Sequence, residues 1–117
     1  MSRYQRRNKY GNQKTQLDGY TFDSRREARR YAELILLQKA GEISNLEMQK
    51  PFVIQESFFD SNGKRQTAIK YISDFYYITK EGKEVIEDVK SPATRKNPVY
   101  RMKKKMMAYK GYEIQEV

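Results

Sequence analysis

From Leu46 to Lys90 apolar residues recur mostly at every second position, and two turn signatures, Asn62-Gly63 and Glu81-Gly82, divide the run into three extended segments. Period-two alternation puts successive side chains on opposite faces of a strand, and Asn-Gly is among the strongest short hairpin signals. The pattern predicts three antiparallel strands. The first carries Leu46, Met48, Phe52, Ile54 and Phe58; the second runs from Gln66 to about Thr79, and the third from Lys83 to Lys90. On either side the period changes. Ser24 to about Ala40 reads as a helix, capped by Asp23 or Ser24 and stopped by Gly41. Val99 to Tyr109 reads as a basic amphipathic helix ending at Gly111, followed by a short strand from Tyr112 to Val117, while Leu17 to Phe22 reads as a hairpin turning at Asp18-Gly19. Pro92 and Pro98 bracket an irregular connection. The order helix, three strands, helix, strand (αβββαβ) defines one α/β (α+β) domain over residues 17–117, a central mixed sheet flanked by helices, behind a flexible basic arm at residues 1–16. A chain of 117 residues leaves no room for a second domain.

No cysteine and no histidine occur, which excludes disulfides, thiolate or imidazole zinc sites and every scheme that needs a Cys nucleophile or a His base. Any metal must be held by oxygen. No apolar stretch approaches the ~18 residues of a membrane span, and the arginine-rich N-terminus lacks a signal peptide's apolar segment, so a soluble, cytoplasmic protein is expected. The formal charge of +9 is unevenly placed. Arg3, Arg6, Arg7, Lys9 and Lys14 lie in an acid-free stretch at the N-terminus, and Arg95, Lys96, Arg101, Lys103, Lys104, Lys105 and Lys110 lie in another over residues 91–112. The remainder is net acidic. Such segregation suits a polyanion, with DNA the expected partner, although a solubilising basic surface is the plainer reading.

Alternation along the third strand places Val85, Glu87 and Val89 on one face and Ile86, Asp88 and Lys90 on the other. Asp88 and Lys90 are therefore neighbours, a carboxylate and an amine that can hold a divalent cation and orient a water. Asp74 is a lone acid within Tyr71-Ile72-Ser73-Asp74-Phe75-Tyr76-Tyr77. Burying an unpaired carboxylate costs several kcal/mol, so such an acid binds a cation, pairs with Lys70 or Lys90, or caps a strand end. On the first helix Glu27 shares a stripe with Tyr31, Leu34 and Gln38, an acid on the apolar face; its alternative role is a capping box with Ser24. Glu33 lies off that stripe and is expected to pair with nearby arginines. Three inward carboxylates and a lysine, without His or Cys, define hard oxygen coordination suited to Mg²⁺ or Mn²⁺.

These residues resemble the pattern of the PD-(D/E)xK nuclease superfamily. Glu27 stands in Ser24-Arg25-Arg26-Glu27-Ala28, Asp74 in Ile72-Ser73-Asp74-Phe75, and the acid-x-Lys element is Asp88-Val89-Lys90. Ser73 stands where the pattern's name has Pro, and Asp88 where Glu is common. The run from Phe22 to Val117 further resembles small phage-encoded members of that superfamily, related to the endonuclease subunit of heteromeric bacterial transposases and to junction-resolving nucleases. Leu46-Glu47-Met48-Gln49-Lys50-Pro51-Phe52 looks like the Gln-Pro-Phe element of their first strand. The resemblance implies a restriction-endonuclease-like fold and a Mg²⁺-dependent DNA endonuclease that leaves a 5′-phosphate and acts in phage recombination, replication or packaging. It implies that Glu27, Asp74 and Asp88 hold the metal and that Lys90 positions or activates the water. Gln49 would stand beside the site, with backbone bonding or core packing as its other roles. A homodimer or a targeting protein would supply a second cut, and no small-molecule cofactor is implied. The competing expectation is a DNA- or RNA-binding accessory protein that keeps the fold without cutting.

Overall fold

The structure, a computed structural model, describes residues 14–117. In chain order it contains β1 (Thr15–Leu17), β2 (Tyr20–Phe22), α1 (Arg25–Lys39), β3 (Ile43–Met48), β4 (Pro51–Gln55), β5 (Phe58–Phe59), β6 (Arg65–Gln66), β7 (Ile69–Ile72), β8 (Phe75–Thr79), β9 (Glu84–Asp88), α2 (Pro92–Arg95), α3 (Pro98–Tyr109) and β10 (Ile114–Glu116). The central sheet has the order β10-β9-β8-β3; β3, β8 and β9 are antiparallel, and β10 joins β9 in parallel. The protein is thus a mixed sheet with helices, in the expected order αβββαβ. No helix among the described residues is long and apolar enough to cross a membrane.

Two apolar clusters lie on the two faces of this sheet. Phe22, Ala28, Tyr31 and Leu34 pack under α1 against Ile43, Phe75 and Tyr77, while Ile54, Tyr71, Tyr76 and Ile86 pack under α3 against Tyr100, Met107 and Ile114. The α1 stripe predicted from periodicity is buried at Glu27, Ala28, Tyr31 and Leu34. Gln38, at the end of that stripe, is exposed and accepts the Leu46 N–H at 3.0 Å through its side chain. Glu87, on the α1 face, receives both Nε (2.8 Å) and Nη2 (2.5 Å) of Arg30 together with the Tyr77 hydroxyl. This fork ties the middle of α1 to β9 through a buried, charge-assisted pair. Glu33 pairs with Arg30 at 2.9 Å on the surface, as expected.

Three local expectations are corrected. The two long strands predicted on either side of Asn62-Gly63 are broken into shorter pieces, because the ribbon kinks where β3 passes into β4 and β7 into β8. Gln49 adopts a positive φ of 56° there, and Ser73, fully buried, donates both its N–H (3.0 Å) and its hydroxyl (3.1 Å) to the Lys50 carbonyl. A proline at position 73 would lack the first of these donors. Beyond the kink β4 and β7 form a separate two-stranded ladder, prolonged by β5 and β6. Secondly, the connection expected to be irregular contains α2, where Ser91 and Thr94 complete a capping box around Pro92. Thirdly, Thr15 and Gln16 already belong to β1, so ordered structure begins before residue 17; residues 1–13 of the expected arm lie outside the described residues. The buried Ser73 hydroxyl is expected to contribute about 1 kcal/mol, so Ser73→Ala should lower the unfolding free energy by about that amount and the urea midpoint by about 0.5 M. An unchanged midpoint would show that the N–H alone holds the kink.

Candidate active site

Each candidate side chain is delivered by a different break in regular structure. Ser24 caps α1 with extended backbone and accepts the Glu27 N–H on its hydroxyl at 3.1 Å, which sets Glu27 in the first helical turn. One Glu27 oxygen accepts from the Asp23 N–H at 3.3 Å, one residue before the cap rather than from Ser24 as the capping-box reading had it. The Glu27 carboxyl also hydrogen-bonds the Asp74 side chain, so it faces the cluster as well as the helix start. Asp74 sits at the kink. Its N–H donates to the Glu87 carbonyl (3.1 Å), its carbonyl accepts from Gln49 (3.2 Å), and its Oδ2 accepts from the Val89 N–H at 2.8 Å. Asp88 ends β9, buried, with Oδ1 at 3.0 Å from the Lys90 ammonium and Oδ2 accepting the Tyr71 hydroxyl. The Lys90 ammonium also lies 4.0 Å from the centroid of the Tyr100 ring, a cation–π contact.

Asp88 and Lys90 are thus partners on one face, with Glu87 engaged by Arg30 on the other, as alternation along β9 requires. Asp74 lies close enough to Glu27 and Asp88 to interact with both: burial first, then the Asp88 and Glu27 charges, pushes its carboxyl up to about 9. Glu27 is also pushed up, by burial foremost and then by the carboxylates of Asp23 and Asp88. Asp74 and Glu27 thus resist ionising beside Asp88, and the cluster is short of positive charge. Among the described residues no three of them are already spaced as a set of metal ligands. Their oxygens have protein partners: Lys90 and Tyr71 engage the two Asp88 oxygens, while Val89 and Asp23 each engage one oxygen of Asp74 and Glu27. By chemistry the set still fits a hard divalent cation, since every donor is a carboxylate oxygen and each retains free lone pairs.

The carboxylates open into a cleft of about 790 Å³ that runs between the α1 N-terminus, β7, the end of β9 and α3. Arg25 and Arg26 line it from α1, Lys70 and Ile72 from β7, and Lys103 from α3. Arg26 donates to the Lys90 carbonyl. Arg25, Lys70 and Lys103 have no acidic partner among the described residues. Of the described basic residues in the two acid-free stretches, Lys103 alone lines this cleft. Arg95 and Lys104 each lie 3.0 Å from Glu116, an acid that the parallel strand β10 brings to an otherwise acid-free segment. Lys96, Arg101 and Lys105 are exposed elsewhere, Lys14 pairs with Asp23 at 3.1 Å, and Arg3, Arg6, Arg7 and Lys9 lie outside the described residues. Gln49 lines a smaller hollow beside Glu27 and meets the site through its backbone bond to Asp74. Sequence reasoning missed Arg25, Arg26, Tyr71 and Tyr100, and named Lys70 only as a possible partner of Asp74. The clearest available signal was the arginine pair immediately before Glu27.

The fold and site together define a small α/β domain with a carboxylate cluster and one lysine at the open end of its sheet. The chain belongs to the family described as "Protein of unknown function (DUF1064)", which matches residues 7–117. No curated protein and no solved structure matches it.

Proposed function

We propose that this protein is a metal-dependent DNA endonuclease of the PD-(D/E)xK type, in which Glu27, Asp74 and Asp88 hold Mg²⁺ or Mn²⁺. The observation that carries this reading is the convergence of Glu27, Asp74 and Asp88 with Lys90 at the base of a cation-lined cleft, where Asp74 and Glu27 are pushed up by burial and by neighbouring carboxylates. When bound, the ion would supply Lewis-acid stabilisation of the charge that develops as water attacks a phosphodiester. The chain's own groups do the rest. Lys90, held between Asp88 and the Tyr100 ring, orients the water or the scissile phosphate. Tyr71 fixes the Asp88 carboxylate from its far side, and Arg25, Lys70 and Lys103 face the phosphates that flank the cut. A single site per chain cuts one strand at a time, so a homodimer or a targeting protein would complete a double-strand break.

A second reading, a DNA-binding accessory protein that does not cut, is favoured by one observation: Lys90 and Tyr71 already satisfy Asp88. The two are separated by incubating the protein with supercoiled, linear and four-way-junction DNA in Mg²⁺, Mn²⁺ or EDTA. Metal-dependent nicking supports the nuclease; a gel shift without cutting supports the accessory protein. In the same assays Lys70→Ala and Lys103→Ala should each flatten the dependence of log affinity on log salt by about one unit, the share of one phosphate contact. Slopes equal to wild type would show that DNA does not run through the cleft.

A further inference from the structure

Beyond the kink the ribbon of β4 to β7 carries a surface that its own domain does not cover. Its inner side chains, Phe52, Ile54 and Tyr71, belong to the cluster under α3. At the far end Phe58 pairs with Gln66 and Phe59 with Arg65. Consecutive residues of a strand point to opposite faces, yet Phe58 is 44% exposed and Phe59 70%. A flat protein interface covers one face of a ribbon and leaves the other wet. A groove wide enough to admit a two-stranded ribbon covers both, and the major groove of B-DNA, about 12 Å wide, is such a groove.

Charge and continuity point to the same occupant. Lys64, Arg65 and Lys70 along this ribbon have no acidic partner among the described residues. Its turn acid, Asp60, is consumed internally: it accepts from the Asn62 N–H (2.9 Å), the Lys64 N–H (3.0 Å) and the Gln66 amide (3.0 Å), which hold the turn rigid. At the near end Lys70 and Ile72 line the cleft itself, so a strand seated there continues onto the ribbon. From Ile72 back to Gln66 an extended chain covers about 20 Å, or about six base pairs.

We propose that the ribbon tip enters the major groove of duplex DNA beside the cleft, with Phe58 and Phe59 against base edges such as thymine methyls and Arg65 on a phosphate or guanine. This rests on the nuclease reading and adds to it a second point of contact that reads the duplex away from the cut.

The chain contains no tryptophan, so F59W introduces a single indole at an exposed position. Its emission is measured in EDTA against a fluorescein-labelled duplex whose anisotropy reports binding independently, with wild type and F59A assayed for binding and for Mg²⁺-dependent cutting. The expected result is an indole quenched by saturating duplex, together with an affinity about tenfold weaker in F59A. If wild type binds and cuts while F59W emission is unchanged and F59A keeps its affinity, the groove contact is wrong and the nuclease stands. Wild type that neither binds nor cuts overturns both. An F59W emission that instead shifts with protein concentration in the absence of DNA, alongside a doubled mass in sedimentation, makes the tip a self-association surface and also overturns the proposal.

Discussion

Lys90→Ala is expected to slow Mg²⁺-dependent DNA cleavage by about 10²–10³-fold while DNA affinity stays within a few-fold of wild type. The ammonium stands 3.0 Å from Asp88 and 4.0 Å from the Tyr100 centroid, so its charge is fixed before substrate arrives rather than recruited from solvent. Such a loss corresponds to about 2.7–4 kcal/mol of transition-state stabilisation, the worth of one preorganised group acting on developing charge. Lys90→Arg should not fully rescue it, because a guanidinium can pair with the carboxylate and stack on the ring but spreads its charge over a planar fork instead of presenting a compact ammonium to the water or phosphate. Cleavage by Lys90→Ala within tenfold of wild type would remove Lys90 from the mechanism.

The second large effect concerns stability. In the metal-free fold burial and the neighbouring Asp88 and Glu27 charges push the Asp74 carboxyl up to about 9, far above the usual carboxylate range. The folded state therefore binds this proton more tightly than the unfolded chain does. The associated stability is complete below about pH 4 and is lost progressively as the pH rises through 9. Metal-free protein should accordingly lose up to about 5 kcal/mol between pH 5 and pH 9, a fall to which Glu27, also pushed up, contributes. Asp74→Asn keeps an acceptor for the Val89 N–H and removes the charge. It should flatten the pH dependence and raise the metal-free melting temperature at pH 8 by about 5 °C, near the value of 1 kcal/mol in a domain of this size. Mg²⁺ at ten times its dissociation constant should stabilise wild type by about 1.4 kcal/mol and the variant not at all. Calorimetry across pH, with and without Mg²⁺, measures all three; a wild-type stability that rises from pH 5 to pH 9 would refute the crowded-carboxylate account.

Where local frames are rigid, the site was legible in the sequence. A serine cap set the phase of α1, so Glu27 could be placed on the buried stripe with Tyr31 and Leu34. Period-two alternation in β9 separated Asp88 and Lys90 from Glu87. What could not be read depends on partners far along the chain. Unbroken alternation from Gln66 to Thr79 would put Tyr71, Ser73 and Phe75 on one face, but Tyr71 packs under α3 and Phe75 under α1. The kink between them reverses the phase, and it is held by Ser73 binding Lys50, 23 residues away, and by a positive φ at a non-glycine, Gln49. The same break aims Tyr71 at Asp88. Likewise the pairing of Arg95 and Lys104 with Glu116 follows from a parallel strand that composition does not announce.

The kink also sets the outer part of the ribbon apart from the carboxylates, with Tyr71 of β7, next to the kink, reaching Asp88. Asp74 is anchored by Glu87, Val89 and Gln49, none of which lies in the ladder of β4 and β7. Lengthening or shortening the ribbon by matched pairs of residues would therefore alter how far the protein reaches without disturbing the carboxylates. Residues inserted at the Asn62-Gly63 turn would add to the ribbon at the end farthest from Asp74.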